Sequence, residues 1–224
     1  MKVKLVSYSQ PTTDFAALGV DNAQELIAYC ARVSNPANQL NTETSEKLIR
    51  YLIKHQHWSP LEMVSACCEI ETTRDIARQI LRHRSFSFQE FSQRYADASQ
   101  LGFTVREARL QDNKNRQNSI ETDDSDLHKT WKIKQEQLIH ETKLAYKWAI
   151  ENGIAKEQAR AILPEGNTNS RLYMAGTLRS WIHYCQLRMD NGTQKEHREI
   201  AKDCWNILCE QFTFLTELTN QEQL

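Results

Sequence analysis

The feature that most limits how this chain can fold is a change of period between residues 76 and 90. Ile76, Ala77, Ile80 and Leu81 recur at helical spacing and give one apolar face. At about 100° per residue, Gln79, Arg82 and His83 fall together on the opposite side. After Arg84 the period becomes two: Phe86, Phe88 and Glu90 alternate with Ser85, Ser87 and Gln89. A helix therefore hands over directly to an extended strip, and both face one pocket. A chain that switches period inside fifteen residues must combine helix and sheet in one core. The arginines can be read as a solvated face with aromatics beneath it. Their density also fits anion recognition, because a guanidinium is a planar fork of donors that matches phosphate and carboxylate.

The 224 residues suit one large domain or two small ones, and the 40% hydrophobic content is enough for a real core. The formal net charge of -1 provides no global field to draw the chain to nucleic acid or membrane. No run of about 18 apolar residues predicts a transmembrane helix, and the start does not read as a signal peptide. The six cysteines form no CxxC pair and no metal spacing, so they are expected to be reduced core residues of a cytoplasmic protein. His55 and His57 lack a third ligand, and no metal is expected. His near a helix C-terminus is a sufficient explanation.

In order, residues 3 to 8 predict a strand and residues 11 to 20 a loop. Asp21 is expected to cap a helix that ends near Ser34-Asn35-Pro36, and a second helix spans about 43 to 55. Residues 63 to 72 read as a buried strand and 102 to 110 as another. Residues 111 to 126 are almost wholly polar and predict an exposed excursion. A long helix follows from about Leu127 to Asn152. Its stripe of Trp131, Leu138, Ala145 and Trp148 is expected to pack, with Gly153 at the C′ position. A short helix from about Lys156 carries Arg160 and stops by Pro164. Residues 169 to 174 predict a strand, Ala175 starts a helix that carries Arg179, His183, Gln186 and Arg188, and a last helix spans about 194 to 218. Arg179, His183 and Gln186 share a face, while Arg188 lies nearly opposite.

The run Arg82-His83-Arg84, seven residues, then Ser92 and Arg94-Tyr95 resembles the signature of flavin-dependent thymidylate synthases. The resemblance extends from about residue 45 to 190. It includes His57-Trp58-Ser59-Pro60-Leu61-Glu62 and the block Arg179 to Arg188. It implies an α+β fold of one domain over residues 1–224, with an antiparallel sheet packed against several helices. It implies conversion of dUMP to dTMP, with methylenetetrahydrofolate as carbon donor and NADPH-reduced FAD as hydride donor. By resemblance His57, Ser59, Arg82, His83, Arg84, Glu90, Arg179 and His183 contact the flavin. Gln79, Ile80, Leu81, Arg82, Glu90, Phe91, Ser92, Gln93, Arg94 and Arg160 hold dUMP, and Arg188 meets the uracil ring. The family is a homotetramer with flavin between subunits.

Arginine cannot act as a base at neutral pH, so the role implied for Arg188 is electrostatic. Ser92 has no identifiable base nearby and reads as a phosphate ligand, not a nucleophile. The family often has Asn where Gln89 stands and Gly where Gln93 stands. No dinucleotide-binding glycine fingerprint is present, so FAD must bind in another manner. Two other readings follow from the residues: an RNA-binding module that uses Arg74, Arg78, Arg82 and Arg84 as a phosphate track, and a flavin-binding protein without synthase activity.

Overall fold

The computed structural model describes residues 1–218. The elements, in order, are β1 (Lys2–Tyr8), α1 (Thr13–Ala16), α2 (Ala23–Ala31), α3 (Ser45–Lys54), β2 (Ser65–Thr73), α4 (Arg74–Ile80) and β3 (Ser87–Glu90). They continue with β4 (Arg109–Gln111), β5 (Ser119–Glu121), α5 (Ser125–Glu151), α6 (Lys156–Ala159), β6 (Asn169–Thr177), α7 (Leu178–Met189) and α8 (Lys195–Gln211). Four strands form an antiparallel sheet in the order β1-β2-β6-β3.

The two faces of the sheet have different chemistry because side chains alternate along a strand. Ala66, Cys68 and Ile70 of β2 and Leu172 and Met174 of β6 are buried, and the register sets Cys68 against Met174 and Ile70 against Leu172. They pack on Ile76, Ile80, Trp181, Tyr184, Cys204 and Leu208 from α4, α7 and α8. Trp181 is fully buried and its Nε1 donates to the Ala66 carbonyl at 3.0 Å, so its one polar atom is satisfied inside the core. Burial of each such large side chain stabilises the fold by about 1.5–3 kcal/mol. The other face is polar. Glu69 accepts from Lys4 and from the Tyr173 hydroxyl, and Glu71 pairs with Arg171.

The change of period predicted between residues 76 and 90 is present as α4 followed by β3. The helix is shorter than the pattern predicts. It ends at Ile80, Leu81 is its C-cap, and Arg82 and His83 lie in the turn beyond. Other boundaries also differ. Asn22, not Asp21, caps α2 by accepting from the Glu25 amide, while the Asp21 amide donates to the Glu25 carboxylate. Residues 11 to 20 contain the short α1. In the stretch 102 to 110 only Arg109 and Leu110 join a strand, and Phe103 makes one isolated bridge to Thr168. The excursion from 111 to 126 is exposed but not formless, because β4 and β5 pair as a hairpin. The strand at 169 continues to Thr177, where the hydroxyl accepts from Ser180 N and starts α7 three residues later than predicted. The last helix stops at Gln211, and a 3₁₀ turn covers Thr213–Leu218.

The largest difference concerns α5. Its buried residues are Gln135, Ile139, Thr142, Tyr146 and Ala149. The predicted stripe faces outward: Trp131, Leu138 and Trp148 are 45%, 52% and 61% exposed, and Ala145 is exposed too. The helix ends as expected, with Gly153 at φ +76 and Ile154 N donating to Ala149 O.

Candidate active site

Three groups of side chains are assembled around α7. The first is centred on Arg188. Its Nε donates to His83 Nε2 at 2.9 Å. That bond requires a neutral His83, and burial, with the Arg188 charge second, lowers its pKa to about 4. The His83 ring meets the Tyr184 ring edge-on at 4.8 Å. The Tyr184 hydroxyl lies 3.2 Å from His197 Nε2, and His197 Nδ1 lies 3.3 Å from Gln79 Oε1. His197 is fully buried, and its pKa falls to about 3 by burial first, then by the Arg188 and His83 charges. Gln79 Nε2 donates to Gln194 Oε1 at 2.8 Å. Gln79 and His83 thus converge as the helical angle predicts. Arg82 does not join them, because the helix has ended and its side chain is exposed. Ile80 is fully buried in the core and Leu81 is half-buried, so neither side chain faces a ligand freely.

The second group lies at the N-terminal half of α7. Here α3 closes with a left-handed residue: Gln56 has φ +57, its amide donates to Ile53 O, and the His57 amide donates to Leu52 O. A non-glycine residue in this conformation costs about 1–2 kcal/mol. The strain turns the chain so that Trp58 meets the His183 ring at 4.5 Å, edge to face. Pro60 starts the 3₁₀ turn Ser59–Glu62, and Glu62 pairs with Arg179. Burial, with Arg179 second, lowers the pKa of His183. Ser180 Oγ donates to Ser85 O at 3.3 Å, which brings the loop after Arg84 to the same place. His57, Ser59, Arg82, Arg84 and His183 are all exposed, and Gln186 Nε2 is buried with no hydrogen bond among the described residues. Exposed imidazoles, a hydroxyl and guanidiniums are donors whose chemistry fits a large anionic cofactor such as FAD.

The third group follows β3. The Phe91 amide donates to Arg171 O, and the chain then turns at Ser92, whose carbonyl accepts from Tyr95 N and Ala96 N. Ser92, Arg94, Tyr95, Ala155, Lys156 and Glu157 line an open cleft of about 410 Å³. Lys156 Nζ donates to Tyr95 O at 2.9 Å, Arg94 pairs with Glu157 at 3.4 Å, and Arg160 Nε donates to Glu157 O at 3.3 Å. The Ser92 hydroxyl makes no hydrogen bond among the described residues, so no base orients it as a nucleophile. Glu90 accepts from Ser170 Oγ at 2.7 Å and pairs with Arg74 at 3.6 Å. Gln93 is buried, and its Nε2 has no partner among the described residues. No hydrogen bond or ion pair among the described residues joins the third group to the first.

Sequence reasoning missed Tyr184, His197 and Gln194. It treated α8 as structural, because a buried His in an amphipathic helix carries no signal of its own. The clue available was the adjacency of Gln194 and His197 to a helix start. The RNA reading loses its basis here. Arg74 is 6% exposed, and both Arg74 and Arg78 pair with Glu165, so two of the four track arginines are already neutralised. No group of three or more metal-ligating side chains occurs among the described residues, and no helix there is long and apolar enough to cross a membrane.

The Arg188 group and the cleft lined by Arg94 and Lys156 offer donors that suit anionic ligands. Residues 17–212 match the family described as thymidylate synthase complementing protein. A probable flavin-dependent thymidylate synthase of Paramecium bursaria Chlorella virus 1 is 49% identical over 212 residues, covering 95% of each chain. The flavin-dependent thymidylate synthase of Synechocystis is 49% identical over 214 residues, covering 95% of this chain and 96% of the relative. The crystal structure of the UMP/dUMP methylase PolB of Streptomyces cacaoi has the same fold, with a TM-score of 0.79 and 23% identity over 100% of this chain and 96% of that one. The chain belongs to the flavin-dependent thymidylate synthase family.

Proposed function

We propose that this chain performs the family's reaction, reductive methylation of dUMP to dTMP, with the three groups around α7 in distinct roles. FAD, reduced by NADPH, supplies the hydride, and methylenetetrahydrofolate supplies the carbon. The residues of this chain bind, orient and polarise. His57, Ser59, Arg82, Arg84, Arg179 and His183 hold the flavin. Ser92, Arg94 and Arg160 take the dUMP phosphate, each as a donor to anionic oxygen, and Lys156 adds positive charge at the same cleft. Glu90, by resemblance a contact of flavin and nucleotide, also pairs with Arg74 at the end of β3.

Arg188 stabilises the ionised uracil ring. Carbon 5 of uracil becomes nucleophilic when negative charge develops at N3 and the adjacent carbonyls. The Nε of Arg188 is committed to His83, which leaves the two Nη groups to meet N3 and a carbonyl oxygen as a fork. Neutral His83 fixes that fork without adding a second cation. The observation that carries this reading is the partly buried Arg188–His83 bond, backed by the buried Tyr184 and His197.

The active unit is a homo-oligomer, a tetramer by family resemblance, working in the cytoplasm. Two features support assembly. The outward stripe of α5 exposes two tryptophans and a leucine on one helix face, more apolar surface than a lone helix carries without a partner. No hydrogen bond or ion pair among the described residues joins the phosphate cleft to the Arg188 group, so a neighbouring copy can complete the site. The test of the whole reading is the visible spectrum of the purified protein. It should show bound flavin that NADPH bleaches, and oxidation on addition of dUMP with methylenetetrahydrofolate should yield dTMP. Bound flavin that reduces and reoxidises with no dTMP would assign the chain to a flavoprotein of another activity.

A further inference from the structure

A directed chain of hydrogen bonds runs from the Arg109–Glu196 ion pair to the site. Arg109 of β4 pairs with the Glu196 carboxylate; burial raises the Glu196 pKa, but the Arg109 contact, a backbone hydrogen bond and the nearby Arg106 charge together hold it below the usual range. An ionised carboxylate only accepts. Gln194 Nε2 lies 3.0 Å from Glu196 Oε2, so Gln194 must turn its amide nitrogen to the carboxylate and its oxygen to Gln79. Gln79 must then present Nε2 to Gln194 at 2.8 Å and its oxygen to His197. His197 must carry its proton on Nδ1, 3.3 Å from that oxygen, and Nε2 is left to accept from the Tyr184 hydroxyl at 3.2 Å. Each link has one allowed polarity, and Glu196 sets it.

We propose that Glu196 and His197 are positioning residues for dUMP, fixing which end of the Gln79 amide the nucleotide meets and, through Tyr184, the ring plane of His83 beneath Arg188. The proposal rests on the reading that Gln79 contacts dUMP. His197 touches neither nucleotide nor flavin in this arrangement; it is fully buried and acts through Gln79 and Tyr184. The device also ties the site to the β4–β5 hairpin, because Arg109 belongs to β4 and Lys195 donates to Glu121 of β5 at 2.6 Å. An apolar residue at 197 would fill the space, but it would leave Tyr184 and Gln79 free to choose either orientation.

The test is Glu196→Gln in the full-length, flavin-loaded protein. It is nearly isosteric and can present either an oxygen or an amide nitrogen to Gln194, so the chain loses its imposed direction. Two quantities are read: the tautomer of His197 by ¹⁵N NMR of histidine-labelled protein, and dUMP affinity from perturbation of the flavin spectrum. Wild-type His197 should be the Nδ1–H tautomer. The variant should show a mixture and bind dUMP several-fold to about tenfold more weakly, the worth of one mis-set hydrogen bond, with flavin content unchanged. Wild-type His197 protonated at Nε2 would overturn the proposal without any variant, which covers a failure of Glu196→Gln to fold. A variant with mixed tautomers and undiminished dUMP affinity would overturn it as well, leaving the synthase reading intact. If the wild type bound dUMP but formed no dTMP, the synthase reading would fall, and the same NMR and binding results would still decide the role of Glu196 and His197.

Discussion

Replacing Arg188 by Ala should abolish most dTMP formation while leaving the fold and the flavin in place. Two consequences follow from the structure. The first is catalytic: loss of a preorganised donor aimed at developing charge costs on the order of 10²–10³ in rate. The second is electrostatic and specific to this site. The Arg188 Nε bond to His83 is charge-assisted, and such a bond contributes about 1.5–3 kcal/mol. The same guanidinium lowers the pKa of both His83 and His197, but both imidazoles are uncharged at neutral pH, so its removal relieves no repulsion there. The melting temperature at neutral pH should therefore fall by the worth of the lost bond. The titration of His83 should move up from about 4. Single-turnover oxidation of reduced flavin by dUMP with methylenetetrahydrofolate measures the first consequence, and histidine NMR titration measures the second. Lys at 188 should not rescue turnover, because it lacks the fork and would keep only the charge. Near-normal dTMP yield in Arg188→Ala, with flavin bound, would refute the catalytic role. An unmoved His83 titration would refute the geometry assigned to it.

Ser92→Ala should raise the KM for dUMP and leave turnover at saturating dUMP, as expected for a lost hydrogen bond to phosphate of about 1.5–3 kcal/mol; zero turnover in the dUMP-saturated, flavin-loaded variant would contradict that ligand role. Trp131→Glu with Trp148→Glu should dissociate the oligomer by placing charge on the exposed stripe of α5, as read by analytical ultracentrifugation; an unchanged sedimentation coefficient would remove this stripe from the interface. Gly176→Ala should destabilise the chain by about 1–3 kcal/mol, because a Cβ there would sit 2.4 Å from the Phe86 ring; denaturant unfolding measures this, and an unaffected midpoint would show that the ring can move. Stability should also depend on acid through His83 and His197. Both have folded pKa values, about 4 and about 3, below the ordinary 6.5, so the unfolded chain binds more protons in between. Stability should be level above about pH 6.5, fall by a few kcal/mol as pH drops toward about 4 and then 3, and flatten below; a flat urea midpoint between pH 7 and 4 would be the contrary result.

The sequence by itself determined the local and chemical parts of this protein. The switch from period 3.6 to period 2 after Arg84 appears as α4 and β3, because both patterns reflect which side chains one element can bury. The motif residues declared the cofactor and substrate chemistry, since side chains with forked donors and fixed spacing have few uses. Gly153 ended α5 for a reason that needs only φ +76. Helical angle alone also set Arg188 apart from Arg179 and His183, and the structure has it on His83 while they meet Glu62 and Trp58. What only the tertiary structure decided depends on distance in space between residues far apart in the chain. Arg82 left the face of Gln79 because α4 stops at Ile80, a boundary fixed by the turn into β3 and not by the apolar pattern. The tryptophan stripe of α5 is as apolar as a core stripe, yet it lies outside, because hydrophobic spacing says that a face must be covered and not by which molecule. His197, 118 residues from Gln79, became part of the site only when α8 packed on α4 and α7. A hydrogen-bond chain has a direction only once its end is fixed, and here that end is a carboxylate of α8 held by an arginine of β4.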